Sequence, residues 1–140
     1  MSVYKPFTHQ HLAEIRETLE STGTPIPELY FLPNRGNFPR GIFATLYTAY
    51  AGSIEQAVEL YTDYYKDSPF TFVTGEPVNL KQVVNTNSAH LHLHLYEGKL
   101  LITSVLDNLL KGASGQAVES MNLMFGFPRK RGLTLKAIGF

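Results

Sequence analysis

The sequence contains no cysteine, which excludes disulfides, thiolate metal sites and a thiol nucleophile within this chain. Charge is also scarce: Asp, Glu, Lys and Arg make up 17% of the residues, against roughly 25% in an average globular protein. Twelve basic residues balance twelve acidic ones, leaving a formal net charge of zero. A concentrated basic face is therefore not expected, and with it neither nucleic acid nor an anionic membrane as the main partner. No apolar run approaches the roughly 18 residues of a membrane span, and the N-terminal MSVYKPFTHQ lacks the apolar centre of a signal peptide. The expectation is a soluble cytoplasmic protein. What is abundant is apolar material, 44% of 140 residues, enough for the core of one domain or a large piece of one.

Along the chain, Leu12, Ile15 and Leu19 recur at helical spacing between Thr8 and about Ser21, with Thr8 a candidate cap. The TGTPIP stretch, Thr22 to Pro27, breaks that helix. Glu28–Pro33 reads as a short strand, Asn34–Arg40 as a polar loop, and Ile42–Tyr50, rich in β-branched and aromatic residues, as a strand. Ser53 to Gln56 has the S-x-x-Q pattern of a capping box. The helix it opens places Ile54, Ala57, Val58, Tyr61 and Tyr65 on one face and ends over Lys66–Pro69. Strands are expected at Phe70–Val73, Val83–Asn85, Ala89–Tyr96 and Lys99–Asp107, the last two joined by a tight Glu97-Gly98 hairpin. Asn108–Phe125 reads as a helix, although Gly112 and Gly115 each cost it about 1 kcal/mol relative to Ala; glycines so placed usually permit a close backbone approach. The tail from Gly126 to Phe140 reads as irregular with a short strand at its end. Together these elements predict an α+β fold, a largely antiparallel or mixed sheet with helices packed on one face.

Four segments carry residue types suited to chemistry. His11 and Glu14, at i and i+3 on the first helix, share a face. A carboxylate beside an imidazole raises its basicity and fixes its tautomer, as a general base requires. A solvated first turn, its acidic residue favoured by the helix dipole, explains the same pair. Arg35 and Arg40 bracket Gly36; two guanidinium groups on such a loop suit a phosphate or carboxylate, and equally a solvated loop. His90, His92 and His94 alternate in a strand and would project from one face about 6.6 Å apart. Two of them can sit on one zinc ion, but no local Asp or Glu completes a ligand set, and an amphipathic strand gives the same pattern. Asp107-Asn108 with Lys111-Gly112-Ala113-Ser114-Gly115-Gln116 is a weak glycine-rich segment that does not follow G-x-G-x-x-G.

Taken in order, these segments resemble N-acetyl-gamma-glutamyl-phosphate reductases, NADP-dependent enzymes of arginine biosynthesis. His9-Gln10-His11-Leu12-Ala13-Glu14-Ile15 is similar to that family's H-R-H-x-P-E-I. Phe31-Leu32-Pro33-Asn34 with Arg40-Gly41-Ile42 resembles its F-x-P-H-x-x-P-M-x-R-G-I. The stretch Ser68-Pro69-Phe70 to Asn85-Thr86-Asn87 is similar to the one ending in G-T-N. Asp107 to Val118, continuing through Met121-Asn122 to Gly126, is nearly its D-N-L-x-K-G-A-x-G-Q-A-V-x-x-M-N-x-x-x-G. The match follows the whole chain.

The resemblance implies the C-terminal domain of glyceraldehyde-3-phosphate-dehydrogenase-like reductases, without the Rossmann-type NADP domain and catalytic cysteine that precede it in the family. Residues 1–107 would form part of the catalytic and dimerisation domain, and 108–140 a helix and tail returning to the cofactor domain. The chemistry implied is reduction of an acyl phosphate to an aldehyde: a thiolate attacks, phosphate leaves, and NADPH supplies hydride. His11 would be the acid–base group and Glu14 its orienter; His9, Asn34, Arg35 and Arg40 would bind substrate; Asn108, Gly112 and Gln116 would approach the nicotinamide, and no metal is implied. Implied partners are a homo-oligomer, dimer or tetramer, and a cysteine-bearing N-terminal half. Gln10 and Ala13 replace the motif's Arg and Pro. Asn34 stands where the family has His and cannot titrate near neutrality. A non-catalytic dimerisation module derived from the enzyme accounts for the same residues, and a metal-binding β-module on His90, His92 and His94 is the remaining expectation. An incomplete domain would expose apolar surface and a sheet edge, so self-association is expected over a monomer.

Overall fold

The computed structural model describes residues 1–138 other than Thr24 and Pro27; those two, which belong to the expected TGTPIP break, and residues 139–140 of the tail lie outside the described residues. The chain divides into two compact units, Met1–Pro39 and Arg40–Phe140.

In the first unit, β1 (Ser2–Val3) pairs antiparallel with β2 (Asn34–Arg35), Ser2 opposite Arg35 and Val3 opposite Asn34. The expected strand over Glu28–Pro33 is instead irregular extended chain whose carbonyls accept from Tyr4 N (Pro33 O, 2.8 Å) and Phe7 N (Phe31 O, 3.1 Å). Pro33 has no N–H to donate, so regular two-way pairing begins only at Asn34, which the sequence placed in a loop. Helix α1 spans His11–Glu20. Thr8 does not cap it: its own N–H turns back to Lys5 O, and Gln10 occupies the cap position without a side-chain bond.

The second unit is built on a mixed sheet with the order β3-β6-β5-β4. Strands β3 (Ile42–Ala49), β5 (Ala89–Tyr96) and β6 (Lys99–Leu106) are antiparallel neighbours, while β4 (Thr71–Thr74) runs parallel to β5. Glu97 and Gly98 both adopt positive φ, 45° and 71°, the geometry of the two-residue hairpin their sequence predicts. Helix α2 (Ile54–Tyr65) carries the predicted capping box: Ser53 Oγ accepts from Gln56 N at 3.3 Å and Gln56 Oε1 accepts from Ser53 N at 2.8 Å. Its Ile54, Ala57, Tyr61 and Tyr65 pack on Leu91, Leu93, Leu100 and Ile102 of the sheet; burying each such leucine or isoleucine contributes about 1.5–3 kcal/mol. Val58, expected on that face, is 38% exposed and belongs to the helix's outer side.

Two expected elements take another form because their backbone is used elsewhere. Val83–Asn85 is a turn after a short 3₁₀ helix (Leu80–Gln82). Asn85 has φ 68° and gives its N–H to the Asp107 carboxylate at 2.7 Å, which takes it out of any ladder. The helix expected over 108–125 begins as a π-helical turn, Leu110–Ser114, and becomes regular only in α3 (Gly115–Met124). Among the described residues the tail after Gly126 holds no strand; Ile138 N donates to Val84 O at 3.1 Å.

Candidate functional site

The first unit gathers the histidine end of α1 with the β1–β2 pair. His9 Nδ1 accepts the backbone N–H of His11 at 3.2 Å, doing for this helix start what a polar cap usually does. The His9 ring stacks edge-on with Tyr4 (5.6 Å between centroids) and His11 (4.5 Å), and is tilted against Phe31 (5.4 Å). Arg35 lies over the Tyr4 ring at 4.0 Å, and Asn34 Nδ2 donates to Leu32 O at 3.0 Å. The result is a row of rings from Arg35 through Tyr4 and His9 to His11. His11 and Glu14 stand one turn apart on an exposed helix face, and among the described residues no hydrogen bond or ion pair joins them. The His11 ring nitrogens remain without hydrogen-bond partners among those residues.

In the second unit the organising group is Asp107, which the sequence supplied only as part of a motif. Its side chain is 0% exposed, and its Oδ2 lies 2.8 Å from Arg40 Nε. Oδ2 also accepts from Asn85 N (2.7 Å), and Oδ1 accepts from Leu109 N (2.8 Å) and Leu110 N (2.9 Å). Burial by itself would raise this carboxyl, but the three backbone N–H groups and the guanidinium outweigh it and hold it below the usual carboxylate range. Next to it, Asn108 Oδ1 accepts from Gly41 N at 2.7 Å. Gly41 is itself fixed by a φ of 109° and by Leu80, whose side chain would lie 2.7 Å from a Cβ there. Arg40 and Gly41 are thus tied pairwise to Asp107 and Asn108. With Nε engaged by Asp107, Arg40 keeps both Nη groups free of hydrogen bonds among the described residues.

The π-helical turn is closed by Gly112 N to Asp107 O (2.9 Å) and Ser114 N to Leu109 O (3.0 Å); such turns recur at functional sites. Its two glycines have different reasons. A Cβ on Gly115 would collide with Asn87 Oδ1 and lie 2.9 Å from Leu110 O; this glycine serves packing within the chain. A Cβ on Gly112 would meet only ordinary contacts, Asp107 O and Leu106 Cδ1 at 3.6 Å. Gly112 and Gln116 are both exposed, and nothing among the described residues accounts for either.

Below this turn lies a second buried carboxylate that sequence reasoning missed. Glu119 accepts from Lys111 Nζ (3.0 Å) and Asn87 Nδ2 (3.1 Å) on Oε2, and from Arg129 Nε (3.1 Å) and Nη2 (2.6 Å) on Oε1. Burial opposes its charge, but the Lys111 and Arg129 bonds prevail and its pKa is lowered. No signal in the sequence distinguishes Glu119 from a solvated helix residue. Asp107 was legible in one respect, since Asp between a strand and a helix is a common N-cap.

His90, His92 and His94 do project together from the sheet, on the side away from α2. His92 Nδ1 donates to Thr74 O at 3.2 Å, and His90 sits edge-on to Phe72 at 5.4 Å. Among the described residues no group of three or more His, Asp or Glu side chains is placed to hold a metal ion, so the metal module has no geometric support. No helix among them is long and apolar enough to cross a membrane.

Comparison with known proteins matches residues 1–108 to the family described as semialdehyde dehydrogenase, dimerisation domain. The chain is 59% identical over 139 residues to an N-acetyl-gamma-glutamyl-phosphate reductase of Christiangramia forsetii, covering 97% of this chain and 43% of that protein. It is 54% identical over 140 residues to the reductase of that name from Azobacteroides pseudotrichonymphae. It is likewise 54% identical over 141 residues to the one from Flavobacterium johnsoniae, with all of this chain and 43% of the relative covered in both cases. The chain thus spans less than half the length of these curated relatives. On a match that takes in every strand of both units, this chain belongs to the semialdehyde dehydrogenase dimerisation-domain family.

Proposed function

We propose that this chain supplies the acid–base group, the anion-binding arginine and the dimer sheet of an NADP-dependent N-acetyl-gamma-glutamyl-phosphate reductase whose cysteine and cofactor-binding domain lie outside these residues. The observation that carries this reading is the double tie between Arg40-Gly41 and Asp107-Asn108. It places a guanidinium with two free Nη groups at a fixed distance from the turn that holds Gly112 and Gln116. Arg40 would bind the phosphate or carboxylate of the substrate in bidentate fashion, with Asp107 preventing the guanidinium from swinging away. His9, Asn34 and Arg35 would complete substrate binding.

His11 would accept the thiol proton at a ring nitrogen, give it to the alkoxide formed when hydride reaches the thioester carbon, and take it back as the C–S bond breaks to leave aldehyde and thiolate. Its ring lies edge-on to His9 at 4.5 Å, and Glu14, one turn further along the helix, would orient it. Asn108, Gly112 and Gln116 would approach the nicotinamide: a Cβ at Gly112 meets only ordinary contacts, so the glycine there would leave room for a flat ring. When bound, NADPH supplies the hydride, and this surface would orient it. Residues 1–107 would be the catalytic and dimerisation portion, with 108–140 returning to the cofactor domain. A homo-oligomer in the cytoplasm is the setting this implies.

The test is phosphate-dependent NADP reduction with N-acetylglutamate semialdehyde, using this chain alone and with the N-terminal half of a relative added in trans. Activity only in the mixture is the expected result, with about 10²-fold or more lost in His11→Ala. Full activity of His11→Ala in the mixture would overturn the assignment. A second reading, a dimerisation module without chemistry, is favoured by Asn34, which stands where the family motif has His. It predicts a folded oligomer that is silent in both assays and binds no NADP.

A further inference from the structure

His9 and His11 differ in what their rings are free to do. The His11 N–H reaches His9 Nδ1 at 3.2 Å, and the Leu12 N–H reaches His9 O at 3.0 Å. His9 thus takes up two of the N–H groups that a helix start leaves without partners. Its side chain closes an i to i+2 turn of the kind asparagine and aspartate make. A backbone N–H can only donate, so Nδ1 must carry the lone pair, and the one proton of the neutral ring sits on Nε2. The ring is partly buried and bounded by those of Tyr4, Phe31 and His11, with centroids 5.6, 5.4 and 4.5 Å away. Nε2 makes no hydrogen bond among the described residues and is not one of their buried unpartnered polar atoms, so it opens outward. It is a donor whose tautomer the backbone fixes and whose ring is set by three neighbours.

We propose that His9 is a fixed hydrogen-bond donor, through Nε2–H, to the acyl oxygen of the substrate, and that proton transfer belongs to the neighbouring His11 alone. The inference rests on the proposed function and refines the role of His9 within it. Negative charge would gather on that oxygen twice, when thiolate adds to the acyl carbon and when hydride reaches the thioester carbon. A donor aimed at the oxygen helps at both points, provided it keeps its proton. His9 is built to keep it. Accepting a second proton at Nδ1 would break the bond from the His11 N–H, and releasing the one on Nε2 would leave an anionic ring. The His9 ring lies 4.5 Å from that of His11. The donor therefore stands beside the group that handles the same oxygen, not at the far end of the substrate.

Two substitutions separate the cap from the donor. In His9→Asn the side-chain oxygen takes the place of Nδ1 and keeps the turn, with nothing at the place of Nε2. In His9→Gln an amide NH₂ reaches the place of Nε2, and the Nδ1 acceptor is gone. The tautomer is read first, from long-range proton–nitrogen NMR correlations of the His9 ring in this chain at about pH 8, above the ordinary imidazole pKa of about 6.5. The expected proton is on Nε2; one on Nδ1 overturns the proposal. The variants are then assayed in the mixture with the N-terminal half of a relative, beside thermal unfolding of each chain. His9→Asn should melt with the parent and lose about 10²-fold in kcat, the scale of removing one donor from a developing oxyanion, with KM within about threefold. His9→Gln should melt earlier yet keep kcat about tenfold or more above that of His9→Asn, an order that a purely structural role would reverse. If His9→Gln does not fold, the kcat and KM of His9→Asn decide. Parental kcat in His9→Asn, a loss confined to KM, or a folded His9→Gln no better than His9→Asn overturns the donor role. A mixture inactive even with the parent chain overturns the proposed function and the donor role with it, while the tautomer and the melting order still decide whether His9 caps α1.

Discussion

Replacing Asp107 by Asn keeps its size and removes its charge, which makes it a direct probe of the second unit's centre. The carboxylate is 0% exposed and Arg40 27%. Breaking a fully buried ion pair costs about 3–5 kcal/mol; Arg40's partial exposure lets its charge recover some hydration, so the cost falls toward the lower end. Asn retains an oxygen for Leu109 N and Leu110 N, but its NH₂ would then face the Asn85 N–H and Arg40 Nε donors on the Oδ2 side. The expected loss is therefore about 2–3 kcal/mol, and Asp107→Ala, which also abandons the cap, should lose about 1 kcal/mol more. The pH dependence follows from the lowered pKa of Asp107. A depressed carboxylate contributes its full stability above the unfolded pKa, about 3.9, and loses it as pH falls through the folded value. Urea unfolding at about pH 7 should show the whole difference between parent and Asp107→Asn. Below about pH 4 the difference should shrink as the unfolded chain takes up the proton, and it should close once pH falls below the lowered folded value. A variant within about 0.5 kcal/mol of the parent at neutral pH, or a gap that does not narrow in acid, would refute the clamp.

Glu119→Gln leaves Lys111 and Arg129 without their shared carboxylate and should cost about 2–4 kcal/mol, read as a lower Tm. Gly115→Ala pushes a methyl group onto Asn87 Oδ1 and Leu110 O and should lose about 1–3 kcal/mol in denaturant unfolding. Gly112→Ala meets no such obstacle and should leave stability unchanged or up to about 1 kcal/mol higher, while lowering turnover in the reconstituted reductase. Ser53→Ala removes the acceptor for Gln56 N and should cost about 1 kcal/mol by the same unfolding measurement.

How far the sequence was readable depends on the range of the forces involved. Strands β3, β5 and β6, the Glu97-Gly98 turn and the capped helix α2 rest on periodicity, turn chemistry and a four-residue cap, all local signals. The β1–β2 pair has only two residues per strand, separated by some thirty positions, and carries no local pattern to find. Val83–Asn85 looks like a strand until Asp107, twenty-two residues away, takes the Asn85 N–H. Thr8 looks like a cap until His9 Nδ1 supplies the acceptor instead. Among the site residues, Arg40 and Asn108 were legible as motif members, but the contacts that fix them, Asp107 for one and Gly41 for the other, come from pairings across the sheet. Glu119 is invisible for the same reason: its partners Asn87, Lys111 and Arg129 are spread over more than forty positions.

Those contacts also sort the stretch from Asp107 to Gln116 into residues the fold requires and residues it does not. Asp107 caps the turn, Asn108 holds Gly41, Lys111 pairs with Glu119, Ser114 Oγ donates to Leu109 O at 2.7 Å, and Gly115 yields to Asn87. Each would be retained by a chain that only folds and dimerises. Gly112 and Gln116 stand apart. A glycine inside a helical segment costs about 1 kcal/mol relative to Ala, and at 112 neither a positive φ nor a close neighbour offsets that cost. Under the proposed function that cost is offset by the cofactor, which would approach this surface from outside. This favours the reductase reading over the purely architectural one, and it makes Gly112→Ala the sharper of the two glycine variants: stability and turnover should move apart at 112 and fall together at 115.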